Sequence, residues 1–254
     1  MIKKIIIGNW KMNPISRKEA REIASGVKKV AINLKKVTVV LCPPVFYLGN
    51  LIDKKTNKLQ FGAQDVYWEE KGAYTGWVSP IMLKEAGVEL VILGHSERRA
   101  AGEDGEMINR KIKAAIKSGL KVVLCVGEKT RDIQGHYLKI LEAQLREALA
   151  KIPSRLSEKL VIAYEPVWAI GKEATGVETP EGFRQNAIFI RKILSKIINK
   201  KRAMETPILY GGSVDAKNAE SFLKNGEADG LLVGRASLSA KDFGEILKIA
   251  EKVK

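Results

Sequence analysis

The segment Val161-Ile162-Ala163-Tyr164-Glu165-Pro166-Val167-Trp168-Ala169-Ile170-Gly171 passes from an apolar run to a carboxylate, then a proline, then a glycine. Val161–Tyr164 reads as a short buried strand. Glu165 stands at its C-terminal end, and Pro166 fixes its own backbone torsion and narrows that of Glu165. The same order, an apolar strand and then polar residues, recurs along the chain. Strand candidates are Ile2–Ile7, Val37–Cys42, Leu59–Ala63, Leu90–Leu93, Lys121–Cys125, Val161–Tyr164, Ile208–Tyr210 and Leu231–Val233. Each is nearly all apolar, as parallel strands covered on both faces must be.

Helical periodicity fills the intervals. Ser16–Leu34 opens with Ser16 and Glu19 at capping-box spacing. Thr130–Ala150, Pro180–Asn199 and Lys241–Val253 repeat apolar residues every three or four positions. Eight β-then-α units in 254 residues predict an α/β fold, a closed (β/α)8 barrel, rather than an open doubly wound sheet. No composition break marks a second domain, so residues 1–254 are expected to form one catalytic domain.

The hydrophobic fraction of 45% supplies a sizeable core. The apolar runs are short and broken by charge, which excludes a spanning segment of about 20 apolar residues. The apolar part of Met1–Trp10 is too short for a signal peptide and no small-residue cleavage site follows, so a cytoplasmic protein is expected. The two cysteines, Cys42 and Cys125, each end a β-branched run and read as buried strand residues rather than a disulfide or metal site. His95 and His136 have no cysteine partners nearby, which leaves no metal-ligand pattern. With 44 basic and 29 acidic residues the net charge is +15. The basic residues are dispersed, mostly on polar helix faces such as Arg184–Lys201, and no nucleic-acid-binding motif accompanies them. A lysine-rich solvated surface is the reading, and specific nucleic-acid binding is not expected. Such a surface speeds the arrival of an anionic substrate.

In a barrel of this type the active site lies at the C-terminal ends of the strands. Asn9 and Lys11 follow the first strand, His95 and Glu97 the fourth, and Glu165 the sixth. Gly211-Gly212-Ser213 and Gly234 follow the seventh and eighth. Gly-rich turns there offer free amides to a phosphate. Each piece alone also reads as ordinary structure: Lys11 as a surface lysine, Glu165 as a strand-end carboxylate, the glycine pair as a tight turn, His95 as a helix cap. Their joint placement at the same end of the strands favours a site.

The same segments carry a resemblance. Gly8-Asn9-Trp10-Lys11-Met12-Asn13, Leu93-Gly94-His95-Ser96-Glu97-Arg98-Arg99, Tyr164-Glu165-Pro166-Val167-Trp168-Ala169-Ile170-Gly171 and Tyr210-Gly211-Gly212-Ser213-Val214 resemble the signature segments of the triosephosphate isomerase family. So do Gly62-Ala63-Gln64-Asp65, Gly72-Ala73-Tyr74-Thr75-Gly76, Leu124-Cys125-Val126-Gly127-Glu128 and Leu232-Val233-Gly234, in the family's order from the first strand to the last.

The resemblance implies a TIM barrel that interconverts dihydroxyacetone phosphate and glyceraldehyde 3-phosphate through an enediol-type intermediate, without metal or organic cofactor. Glu165 is then the base, His95 a neutral proton donor and shuttle, and Lys11 the fixed positive charge. Asn9 orients the oxygens and Lys11, and Glu97 sits beside Lys11 and His95. Backbone N–H groups of Gly171, Ser213, Gly234 and Arg235 hold the phosphate, and residues 166–179 form a closing lid. A homodimer is implied, with Gly72–Ser79 inserted beside the partner's His95 and Lys11.

Three features depart from the family pattern. Trp77 replaces a glutamate, Arg235 replaces a glycine, and the second half of the lid, 172–178, is about two residues longer than usual. Two other readings compete. A sugar-phosphate aldolase or phosphoribosyl isomerase needs a Schiff-base lysine within a strand, or paired acids at strand ends. A barrel that has lost catalysis and serves as a scaffold or nucleic-acid binder would not need the set Asn9, Lys11, His95 and Glu165.

Overall fold

The computed structural model describes residues 3–52, 58–132, 134–171 and 174–253. Eight strands close into a parallel barrel in sequential order. They are β1 (Lys4–Asn9), β2 (Val37–Cys42), β3 (Leu59–Ala63), β4 (Leu90–Leu93), β5 (Lys121–Val126), β6 (Leu160–Tyr164), β7 (Ile208–Tyr210) and β8 (Gly230–Val233). Around them run α1 (Arg17–Ala31), α2 (Val45–Leu51), α3 (Pro80–Ala86), α4 (Ser96–Ala100), α5 (Gly105–Lys117), α6 (Tyr137–Ala148), α7 (Pro180–Ile197), α8 (Lys200–Glu205), α9 (Ala219–Lys224) and α10 (Ala240–Lys252).

The ring closes where β8 pairs with β1, Ile5 opposite Gly230 and Gly8 opposite Val233. Gly230 permits this, because a Cβ there would stand 1.9 Å from the Ile5 carbonyl oxygen. The pleat sorts apolar side chains into two cores. Ile7, Val40, Ile92, Val123, Leu209 and Leu232 are among those filling the barrel interior. Ile6, Val39, Val91, Val122 and Leu231 point outward into a larger layer shared with the helices. Each such fully buried side chain contributes about 1.5–3 kcal/mol relative to exposure.

The strand expectations fall within two residues of the observed bounds. The first expected strand included Ile2, which lies outside the described residues. Ser16 caps α1 by accepting from the Glu19 N–H at 3.2 Å. The helix expected over Thr130–Ala150 is shorter, because the Asp132 carboxylate accepts from the N–H groups of His136 and Tyr137 and starts α6 there. Cys42 and Cys125 are buried and free in the barrel interior. Among the described residues no helix is long and apolar enough to cross a membrane.

Candidate active site

Lys11 follows β1 in a left-handed conformation, φ 54°, which a residue with a Cβ adopts only when its surroundings over-determine it. Three contacts do so. Its N–H donates to Asn9 Oδ1 at 3.0 Å, its carbonyl accepts from Gln64 Nε2 at 2.8 Å, and its ammonium donates to Glu97 Oε1 at 2.6 Å. Gln64 also donates to the Cys42 carbonyl, which ties the ends of β1, β2 and β3 together.

His95 caps the short α4. Its Nδ1 accepts from the Glu97 N–H at 3.2 Å. A nitrogen that accepts carries no proton, so the ring proton belongs on Nε2. Nε2 lies 3.3 Å from Glu165 Oε1. The second Glu165 oxygen accepts from the Ser96 N–H at 3.0 Å.

The backbone of Glu165 is held from two sides. Its N–H donates to the Val126 carbonyl at 2.8 Å. Gly127 packs so closely beneath it that a Cβ would stand 1.7 Å from the Glu165 carbonyl oxygen. The thiol of Cys125 lies below the carboxylate, and burial first, then the Glu165 charge, holds that thiol well above its ordinary range.

Gly211 abuts Glu165, and a Cβ on Gly234 would lie 3.8 Å from Lys11 Cε. The turns after β7 and β8 therefore border the base and the cation. Ser213 Oγ donates to the Ala169 carbonyl of the 166–179 segment at 3.1 Å. Gly171 is exposed with open space about it, and its φ of 80° suits glycine. Arg235 is exposed and opens a 3-10 turn after Gly234. Lys172 and Glu173, in the longer half of the expected lid, lie outside the described residues.

A groove of about 550 Å3 runs from Asn9, Lys11, His95 and Glu97 to the chain's own Thr75–Val78. Trp77 forms part of its wall, 47% exposed, with its ring 4.7 Å from that of Tyr67.

Sequence reading assigned no role to Gln64, Glu128, Arg131 or Glu178. Gln64 was findable, since it directly follows β3 as the other polar residues follow their strands. Glu128 is fully buried and accepts from Tyr164 OH and Trp168 Nε1, both at 2.8 Å. No local sequence signal announces that convergence.

A family model described as triosephosphate isomerase matches residues 4–250. Curated relatives of that name are similar over almost their full lengths. The one from Natranaerobius thermophilus is 43% identical, covering 99% of this chain and 98% of its own. Those from Dehalococcoides mccartyi and Aquifex aeolicus are 44% and 40% identical, covering 98% and 97% of this chain and 98% and 99% of their own. With the strand-end residues already placed around one barrel mouth, these matches establish that the chain belongs to the triosephosphate isomerase family.

Proposed function

We propose that Glu165, His95 and Lys11 carry the isomerase activity of this chain, the interconversion of dihydroxyacetone phosphate and D-glyceraldehyde 3-phosphate in glycolysis and gluconeogenesis. The observation that supports this assignment best is the meeting of three strand ends: Glu165 Oε1 stands 3.3 Å from His95 Nε2, and Lys11 is paired to Glu97, whose own N–H fixes the His95 ring.

Glu165 removes a proton from the hydroxyl-bearing carbon beside the carbonyl. His95 Nε2–H donates to the carbonyl oxygen, giving an enediol, and the ring takes a proton from the neighbouring oxygen in return. Glu165 then delivers its proton to the former carbonyl carbon. To begin, the carboxylate leaves the Ser96 N–H by side-chain rotation, since the Val126 bond and Gly127 fix its backbone. Lys11 stabilises the oxyanion and the phosphate, and Asn9 holds the Lys11 backbone. Glu97 positions both Lys11 and His95. The N–H groups of Gly171, Ser213, Gly234 and Arg235 receive the phosphate, with residues 166–179 closing over it.

The homodimer belongs to the same reading. The groove between Lys11 and the chain's own Thr75–Val78 suits the 72–79 loop of a second copy, because a two-fold contact must accept the same loop it offers. Tyr74 and Trp77, 42% and 47% exposed, supply the aromatic surface for it. Two buried free thiols accord with a reducing, cytoplasmic setting.

Purified protein assayed in both directions, with each triose phosphate as substrate, tests the proposal. Turnover abolished by Glu165→Gln supports it. Undiminished turnover in that variant removes Glu165 from the base role.

A further inference from the structure

Arg131 lies in the connection between β5 and α6, outside the catalytic set. Its Nη1 donates to Glu178 Oε2 at 2.8 Å, and its Nη2 donates to Tyr137 OH at 3.1 Å. The guanidinium carbon also stands 5.3 Å from the centre of the Trp168 ring. Trp168 and Glu178 belong to opposite ends of the 166–179 segment. One side chain of the neighbouring loop therefore grips both of them.

The grip is reinforced inside the segment. The Trp168 carbonyl accepts from the Thr175 N–H at 2.8 Å, and Gly176 packs on the Trp168 ring. Trp168 Nε1 is bound to buried Glu128. At the far end, the Glu178 side chain is 1% exposed. Its Oε1 accepts from the Thr179 N–H at 3.0 Å, and Tyr164 OH lies 3.4 Å from Oε2. Thr179 in turn caps α7. A carboxylate this deeply buried depends on its cation partner. In this arrangement the Gly171 tip is exposed, with nothing within 4 Å of where a Cβ would stand.

We propose that Arg131 is a positioning residue that latches the lid in its open arrangement, joining Trp168 at the lid's start to Glu178 at its end. The inference rests on the reading of residues 166–179 as the lid. Closure then has to loosen the Arg131 contacts, so the latch sets what fraction of molecules is competent to hold phosphate. It also drives opening when product leaves. Weakening the latch raises the competent fraction, tightens phosphate binding and slows release.

The test follows inorganic phosphate binding and the 19F exchange of fluorotryptophan at position 168 in the full chain. It compares the parent, Arg131→Met, Arg131→Lys and Glu178→Gln, with steady-state kinetics on each. Glu178→Gln keeps one oxygen to accept from the Thr179 N–H, replaces the oxygen that Arg131 grips by an amide NH2, and serves if Arg131→Met fails to fold. Arg131→Met and Glu178→Gln are expected to bind phosphate about three- to tenfold more tightly. Their kcat and KM should fall together by a similar factor, with Arg131→Lys returning toward the parent. Phosphate affinity and kinetics within twofold of the parent in both variants overturn the latch. A raised KM with a lowered kcat, the mark of a disordered lid, overturns it as well. If the parent's own 19F exchange does not respond to phosphate, the lid reading fails and the latch fails with it.

Discussion

Lys11 and Glu165 face the same barrel mouth from β1 and β6, and they are held in opposite ways. Lys11 is fixed at every polar group: its amide by Asn9, its carbonyl by Gln64, its ammonium by Glu97. Even its unfavourable φ is locked by these bonds. Glu165 has a fixed backbone but a side chain bound to neighbours that reaction must release, the Ser96 N–H and His95 Nε2. It is followed by a segment whose tip lies in solvent. A positive charge that stabilises an oxyanion gains from having no reorganisation left to do. In the proposed mechanism a base that visits two carbons needs reach, and a lid that shields it has to open and close.

The hardest blow to this contrast is Glu165→Asp. It retracts the carboxylate by about 1 Å while leaving the charge, and turnover should fall on the order of a hundredfold or more. Near-parental kcat would mean that reach on the β6 side does not matter. His95 shares the mouth, and Nδ1 is already committed to the Glu97 amide. His95→Ala should therefore lower turnover about 10²- to 10⁴-fold, with the fold checked by circular dichroism. A loss confined to KM would make His95 a binding residue instead.

The fixed side is also the proposed dimer side, so its rigidity should depend on the second copy. Trp77→Glu places a charge where an aromatic ring now packs on Tyr67. The dimer should weaken by about 2 kcal/mol, roughly thirtyfold in dissociation constant, measured by analytical ultracentrifugation. An unchanged constant would take Trp77 out of the interface.

On the Glu165 side, Glu128 holds Trp168 and Tyr164. Burial raises its carboxyl above the ordinary 4.5, with the Tyr164 hydrogen bond opposing the shift. A raised carboxyl stabilises the fold fully below its ordinary value and loses that contribution as pH rises through the folded value. Relative to the parent, Glu128→Gln should therefore gain stability as pH is raised from 4 to 8, followed by urea unfolding at each pH. A pH-independent difference would show that Glu128 does not titrate with folding.

The smallest effect is expected at Arg235. Its side chain is exposed, and only its backbone N–H is assigned to phosphate. Arg235→Gly should leave phosphate affinity within about twofold, whereas a larger loss and an altered salt dependence would assign the guanidinium to the anion site.

The barrel was legible because its strands are apolar on both faces and its helices are periodic, features each segment carries by itself. The strand-end rule then located Asn9, Lys11, His95, Glu97 and Glu165 before any pairing was visible. The capping serine, Ser16, was legible for the same local reason. The start of α6 was misplaced because Asp132 captures two amides ahead of the apolar stripe, and periodicity does not register a cap.

Closure of the ring determined the rest. It brings Lys11 to Glu97 across 86 positions and Ser96 to Glu165 across 69. It assembles Arg131, Trp168 and Glu178 around one guanidinium. The sequence by itself specified which segments are strands and which polar groups end them, because propensity and burial pattern act over a few residues. Where the Glu165 carboxylate rests and what holds Trp168 and Glu178 together were decided only in the tertiary structure. Those contacts join groups tens of residues apart, and their geometry exists only once the eight strands have closed.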